Sequence, residues 1–140
     1  MQLDTYLHFN GNCEAALNFY ARCFGAKIDF SIKYAGSPAE PQVPADWRDK
    51  ILHASMKLGN QRLMACDVPP TSYQGPPRSF ALAIGTKDGA ETDRIFQALA
   101  EGGQVTMPPG ETFFSPRFGM LTDRFGVHWM VVCAPATPAA

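Results

Sequence analysis

Three histidines are the side chains of this sequence best suited to acid–base or metal chemistry. His8, His53 and His128 each fall in a stretch where apolar and polar residues alternate, which is the pattern of a β-strand. An imidazole can ligate a divalent cation or act as a general base, because its unperturbed pKa lies near neutrality. No carboxylate is placed in the sequence to complete a metal site with them. His53 and His128 are therefore the candidate catalytic residues, and we predict no metal site and no cofactor.

The four cysteines predict buried free thiols. Cys13, Cys23, Cys66 and Cys133 form no C-x-x-C pair, and each lies in an apolar helix or strand pattern. A zinc site would require them to converge in space, which their spacing does not support.

Motifs of nucleotide and nucleophile chemistry are absent. The chain has no P-loop, no G-x-S-x-G elbow and no H-E-x-x-H pair. The Asn10-Gly11-Asn12 turn stands between a predicted strand and a predicted helix, but it has one glycine where a nucleotide-binding turn uses several. The sequence therefore offers no support for a nucleotide-dependent reaction.

Composition excludes several classes of partner. The chain has 140 residues, a net charge of −1 and 12 scattered basic residues, so it lacks the clustered Lys and Arg that nucleic-acid binding requires. No apolar stretch approaches the length of a membrane span, and the N-terminus lacks the form of a signal peptide. We expect a cytoplasmic protein with neither nucleic acid nor membrane as a partner.

The elements that position these residues follow from hydrophobic periodicity. A helix is predicted at 13–24, with Asn12 as N-cap and Gly25 as C-cap, and a second helix starts at Asp88 and ends before Gly102. Strands are predicted at 3–9, 27–34, 50–58, 61–67, 79–85, 104–107, 117–122 and 127–133, with a possible continuation at 111–114. Residues 35–49 carry three prolines and are predicted to form a long mobile loop, with Trp47 as its large apolar residue.

The order strand-helix-strand-strand-strand occurs twice. Phe19, Gly25 and Ile28 correspond to Phe96, Gly102 and Val105 at a constant offset of 77 residues, which indicates a duplicated module. The predicted fold class is α+β, with two tandem βαβββ modules forming a curved mixed, mostly antiparallel sheet, helices outside and a cleft within. The modules cover residues 1–67 and 79–133, joined by a proline-rich linker at 68–78 and followed by a disordered tail at 134–140.

The last strands carry an apolar wall. A turn at 123–126 joins two strands, and Phe113 and Phe114 precede them. Trp129 and Met130 lie on the second of these strands. This concentration of large apolar side chains predicts one wall of a small-molecule pocket.

Several blocks of the sequence resemble PhnB-like proteins of the vicinal oxygen chelate superfamily, which includes glyoxalase I, extradiol dioxygenases and bleomycin-resistance proteins. The blocks span nearly the whole chain. They are Tyr6 to Cys13, Phe19-Tyr20, Phe24-Gly25, His53-Ala54, Leu63 to Asp67, Glu111 to Phe114, Phe118 to Met120 and Asp123 to Met130.

The resemblance implies two βαβββ modules with a site in the cup between them. Metal-dependent members place one His or Glu ligand on the first and last strand of each module. Those positions correspond here to Thr5, Met64, Ser79 and Met130, none of which is a normal ligand for such an ion. His8 lies on the strand face opposite Thr5, so it would reach the site only after a shift of register.

Two functions remain open. The first is a metal-free protein that binds a small apolar or aromatic molecule in the cleft between the modules, and the second is a metal-dependent or histidine-based lyase, isomerase or dioxygenase-type enzyme. A homodimer is compatible with both. The predicted ligand-binding residues are Thr5, Trp47 as a lid, His53, Met64, Ser79, Phe113, Phe114, His128 and Met130.

Overall fold

The computed structural model describes residues 1–135, which fall into two compact units, unit 1 from Met1 to Gly75 and unit 2 from Pro76 onward. Each unit has the order β-α-β-β-β, so the predicted duplication of this pattern is confirmed. The tail predicted at 134–140 lies mostly outside the described residues. No helix among residues 1–135 is long and apolar enough to cross a membrane.

The bounds of the elements agree closely with the periodicity of the sequence. Unit 1 contains β1 (Thr5–Phe9), α1 (Cys13–Phe24), β2 (Ile28–Lys33), β3 (Ile51–Leu58) and β4 (Gln61–Asp67). Unit 2 contains β5 (Leu82–Thr86), α2 (Gly89–Ala100), β6 (Gln104–Gly110), β7 (Phe118–Thr122) and β8 (His128–Cys133).

Each unit forms one four-stranded mixed sheet. The strand order is β1-β4-β3-β2 in unit 1 and β5-β8-β7-β6 in unit 2. The first and last strands of each unit pair in parallel, and the other neighbours are antiparallel. The predicted mixed, mostly antiparallel fold class is therefore confirmed, in the form of two sheets.

Helix α1 covers one face of the sheet of unit 1. Its apolar residues recur at helical spacing and are buried, among them Leu17 and Tyr20 at 1% and 0% exposure. Leu7 and Phe9 of β1 are buried on the same side, whereas the alternate residues of β1 are exposed. The helix ends at Gly25, whose left-handed conformation favours a residue without a Cβ.

The start of α1 differs from the prediction. Asn12 makes no side-chain cap, and Asp67, at the end of β4, takes its place. Its Oδ1 accepts hydrogen bonds from the backbone N–H groups of Gly11 (2.8 Å) and Cys13 (2.9 Å), and its Oδ2 accepts one from Ile51 (3.0 Å). Asp67 is 1% exposed, so one buried carboxylate ties the ends of β1, β3 and β4 together.

Helix α2 starts as predicted, with the carboxylate of Asp88 accepting from the backbone N–H of Glu91 at 2.8 Å. The helix packs closely on β7 at Gly119. A Cβ at this glycine would lie 2.6 Å from Cε2 of Phe96, so only glycine permits this separation.

Three segments depart from their predicted conformation. Residues 35–49 contain two short 3-10 helices, Glu40–Gln42 and Ala45–Trp47. Residues 111–114 form no strand, because the chain turns here through hydrogen bonds between Thr112 and Ser115. Strand β5 starts at Leu82 rather than 79, because Ser79 adopts a left-handed conformation (φ 55°) that interrupts an extended chain.

Candidate functional site

The sheet face of unit 1 that is not covered by α1 carries most of its exposed aromatic side chains. The pairing register places Tyr6 beside Met64 and His8 beside Cys66 on this face. A bulge in β2 between Ile28 and Phe30 turns the following residues onto the same face, so Phe30 lies beside Ser55 and Ile32 beside His53. We call this surface, defined by Tyr6, His8, Phe30, Ile32, His53, Ser55, Met64 and Cys66, the helix-free face of unit 1.

Two of the predicted ligand-binding residues of unit 1 lie on this face and two do not. His53 and Met64 are on it, whereas Thr5 pairs with Leu63 on the opposite face, together with the buried Leu7. Tyr6 therefore occupies on β1 the place expected for Thr5. Trp47, expected as a lid, is 8% exposed, and its Cη2 would lie 3.2 Å from a Cβ at Gly11, so its ring covers the turn between β1 and α1.

His53 is held by a hydroxyl group. The phenolic oxygen of Tyr6 lies 2.9 Å from Nδ1 of His53, and the two rings are 5.5 Å apart between centroids. Phe30 completes the group with a centroid 5.8 Å from that of His53. The helix-free face of unit 1 thus offers one oriented imidazole among aromatic rings.

The helix-free face of unit 2 contains three cross-strand pairs in a row. Phe118 lies opposite Val132, Met120 opposite Met130, and Thr122 opposite His128. Since alternate residues of a strand are about 6.6 Å apart, the row extends over about 13 Å. It runs from an aromatic end through two methionines to a polar end.

A pocket of about 530 Å³ opens at the polar end of this row. Its size falls within the range of small-molecule sites in proteins. Most of the lining is apolar, and a few hydroxyl groups and one imidazole are the polar contribution. The lining residues are Ser79, Phe80, Ala81, Thr106, Met120, Leu121, Thr122, His128 and Trp129.

His128 is the titratable residue of the pocket lining. Its Nδ1 lies 2.7 Å from the hydroxyl oxygen of Thr122 on the neighbouring strand. A hydroxyl partner on Nδ1 orients the ring and leaves Nε2 to exchange a hydrogen bond or a proton with a bound molecule. Of the predicted residues, Ser79 and His128 line the pocket, and Met130 lies beside Met120 on the same face.

Phe113 and Phe114 lie outside the pocket lining, on the segment between β6 and β7. Phe113 is fully exposed, and Phe114 contacts both Phe113 and Phe118 edge to face, at 5.1 and 5.0 Å between centroids. The hydroxyl oxygen of Ser115 anchors the segment, because it lies 2.9 and 2.6 Å from the carbonyl oxygens of Arg117 and Cys133, and its single hydrogen is donated between them. These phenylalanines thus extend the aromatic end of the row.

Sequence reasoning assigned no site role to several residues that the structure brings to these surfaces. Tyr6 and Met120 stood in recognised blocks but were given no role, and Phe80, Thr106 and Thr122 were not considered as site residues. For Thr122 and Met120 a signal was available, because alternation in the predicted strand at 117–122 places both on one face.

Comparison with known proteins gives one matching family profile, which covers residues 1–132 and is described as 3-demethylubiquinone-9 3-methyltransferase. The chain is 34% identical to Protein YjdN of Escherichia coli over 94% of both chains. It is similar in structure to protein PA1353 from Pseudomonas aeruginosa, with 42% identity, coverage of 96% and 98%, and a TM-score of 0.87. The PhnB protein from Bacillus cereus is 29% identical, with coverage of 96% and 100% and a TM-score of 0.79.

More distant structures share the fold alone. A glyoxalase-related enzyme from Fulvimarina pelagi matches at 19% identity with a TM-score of 0.63, and covers 100% of this chain and 94% of its own. The fosfomycin resistance protein FosX from Listeria monocytogenes, in complex with Mn(II), matches at 11% identity with a TM-score of 0.66 over 97% and 94%.

Among residues 1–135, no three His, Cys, Asp or Glu side chains are grouped so that they could hold one metal ion. The central residues of the two helix-free faces, Met64 and Met130, carry thioethers that a hard or borderline cation disfavours. These described side chains therefore do not fit an ion such as the Mn(II) of FosX.

Proposed function

The chain belongs to the PhnB-like family whose profile is described as 3-demethylubiquinone-9 3-methyltransferase, and from this premise we propose that it is a binding protein for a small, largely apolar or aromatic molecule. The proposal places the ligand on the helix-free faces of the sheets and gives the protein no metal. The cleft between modules that the sequence predicts stays a prediction.

The observation that carries the proposal is the pocket of about 530 Å³ in unit 2. Phe80, Met120 and Trp129 supply apolar walls, and the Thr122–His128 pair supplies one polar edge. An apolar cavity with few, well-placed polar groups favours a ligand that is mostly hydrocarbon and has one hydrogen-bonding group.

Methyl transfer, which the family description names, receives no support from this chain. The turn between β1 and α1 contains Gly11. Here the N–H groups of Gly11 and Cys13 already donate to Asp67, so they are not available to a cofactor. The turn is also covered by the ring of Trp47.

The pocket can be tested by filling it. Ala81→Trp introduces an indole at the lining and is expected to abolish binding of the fluorescent probe 8-anilinonaphthalene-1-sulfonate, whereas Ala35→Trp, at a surface position of unit 1, should leave it unchanged. Equal probe affinity in the wild type and Ala81→Trp would refute the pocket as the binding site. Native mass spectrometry of protein purified without added metal or chelator would then report any retained organic molecule and the number of subunits.

A second candidate function is a histidine-based lyase or isomerase. It is favoured by the contact between Thr122 and His128, because an imidazole oriented through Nδ1 can accept or return a proton at Nε2. His128→Ala separates the two functions. A binding protein should keep its affinity for an apolar probe within about threefold, since only one hydrogen bond is lost, whereas an enzyme should lose turnover of a substrate while it stays folded.

A further inference from the structure

A second group of interacting side chains lies on the helix-free face of unit 1 and comes from three adjacent strands. Tyr6 of β1 contacts Nδ1 of His53 of β3 through its hydroxyl oxygen at 2.9 Å. Cys66 of β4 lies on the same face, and the hydroxyl of Tyr6 and the thiol of Cys66 are close enough that each changes the pKa of the other. The phenol of Tyr6 thus has an imidazole and a thiol as neighbours.

The phenol and the thiol both keep their hydrogens at neutral pH. Burial raises the pKa of Tyr6, and the neighbouring Cys66 raises it further. Burial also raises the pKa of Cys66, and this outweighs the opposing effect of the neighbouring Tyr6 hydroxyl. Tyr6 as a whole is 41% exposed, whereas Cys66 is 8% exposed.

The single phenolic hydrogen has a preferred direction. An imidazole nitrogen is a far better acceptor than a sulfur, which is weak both as donor and as acceptor. Tyr6 therefore donates to Nδ1 of His53. With Nδ1 as acceptor, neutral His53 carries its hydrogen on Nε2, and among residues 1–135 this nitrogen has no hydrogen-bond partner.

We propose that Tyr6 and His53 form an oxygen-recognition site, in which Nε2–H of His53 donates to the carbonyl or phenolate oxygen of a planar aromatic ligand. This assignment rests on the proposed binding of a small aromatic molecule, and adds its chemical class and a second place of contact. Tyr6 is a positioning residue, because its hydroxyl fixes the tautomer of the residue that touches the ligand.

The surrounding rings define the class of ligand. Phe30 is 51% exposed, and its ring is tilted 47° to that of His53 at 5.8 Å between centroids. His8 meets Tyr6 edge to face at 5.5 Å. Exposed aromatic faces beside a single donor favour a flat conjugated molecule that presents an oxygen at its edge.

The first test needs no ligand. Imidazole ¹⁵N–¹H correlation spectra of the full chain should show His53 as the Nε2–H tautomer. Tyr6→Phe retains the ring but removes the hydroxyl, and should give His53 the mixed tautomers of a free imidazole. Tyr73→Phe, the same change elsewhere in unit 1, should have no effect, and Cys66→Ser, which leaves the hydroxyl of Tyr6 in place, should preserve the tautomer. A tautomer mixture in the wild type would overturn the proposal.

The second test uses two probes that differ in one oxygen, 2-acetylnaphthalene and 2-ethylnaphthalene, titrated into ¹⁵N-labelled protein. One added hydrogen bond predicts about fivefold tighter binding of the ketone, with shifts at His53, and about equal binding of the two probes to His53→Phe. Equal affinities in the wild type would overturn the proposal.

The position of the shifts separates this inference from the proposed function. Shifts at Thr122 and His128 without any at His53 would overturn the oxygen-recognition site and support the pocket of unit 2. Shifts in neither unit, with either probe, would overturn both. Shifts at His53 alone would support this site and contradict the pocket.

Discussion

Replacement of Asp67 should show how strongly one buried carboxylate holds the strands that carry the oxygen-recognition site. In Asp67→Asn, the remaining oxygen can still accept from the N–H groups of Gly11 and Cys13. The new amide NH2 group, however, turns a donor toward the N–H of Ile51, which thereby loses its acceptor, the carboxylate oxygen at 3.0 Å.

The destabilisation expected for Asp67→Asn follows from the hydrogen bonds that change. One charge-assisted hydrogen bond is lost and leaves a buried N–H unpaired, and the other two lose the charge that strengthens them. Together these changes predict a loss of about 2–4 kcal/mol in the free energy of unfolding. Asp67→Ala removes both acceptor oxygens, and with them all three hydrogen bonds, and should cost about 5 kcal/mol or more, which is comparable with the whole stability of a small domain.

Equilibrium unfolding in urea, followed by circular dichroism and tryptophan emission, measures this loss. The protein has two tryptophans, Trp47 in unit 1 and Trp129 in unit 2, so emission reports on both units. Asp46→Asn is the matched control, because Asp46 is exposed and the change should stay within about 0.5 kcal/mol of the wild type. If Asp67→Asn and Asp46→Asn unfold at the same urea concentration, the reasoning about Asp67 is refuted.

Three further changes test other parts of the structure. Ser55 donates a hydrogen bond to Asp29 and thereby lowers the pKa of that carboxylate. Asp29 therefore stabilises the fold at pH values above its ordinary pKa, and this stabilisation is lost as the pH falls through the lowered pKa. Ser55→Ala should raise the pKa of Asp29 toward its ordinary value, which NMR titration of the carboxyl carbon measures. Gly119→Ala should destabilise unit 2 by about 1–3 kcal/mol, because its Cβ would meet the buried ring of Phe96, and an unchanged melting temperature would contradict the packing described. Ser79→Gly should stabilise the protein by up to about 1 kcal/mol in thermal unfolding, since glycine adopts a φ of 55° without strain.

Local patterns predicted the elements well. Helix α1 occupies the predicted residues 13–24 because its apolar spacing and its terminal Gly25 are both properties of adjacent residues. The turn at 123–126 and the cap at Asp88 were predicted for the same reason. Each of these features depends on residues that are close together in the sequence.

Features that depend on distant parts of the chain could not be predicted in the same way. The cap of α1 comes from Asp67, more than 50 residues away from Cys13, so no local pattern contains it. The bulge in β2 arises from pairing with β3, and it moves Phe30 and Ile32 to the face opposite Ile28, although strict alternation places all three together.

The candidate sites also depend on contacts between distant parts of the chain. Sequence reasoning singled out His53 and His128 from the chemistry of imidazole, and the structure places each beside a hydroxyl group. It did not find Tyr6 as the partner of His53, because the two residues meet only once β1, β3 and β4 are paired in a particular register.

The outer strands of the two sheets differ in their capacity to recruit another chain. Strands β2 and β6 each pair with one neighbour within residues 1–135, so each leaves an edge. Strand β6 contains Pro108 and Pro109. Adjacent residues of a strand point their N–H groups to opposite sides, so one of these prolines removes a donor from the outer edge.

Strand β2 has no proline and ends in Lys33. The charge of Lys33 discourages pairing of β2 with a second copy of itself, but the backbone N–H donors of the strand remain in place. Growth of a sheet by an added strand is therefore obstructed along β6 and chemically open along β2. Of these two strands, β2 is the one through which two copies could join their sheets edge to edge.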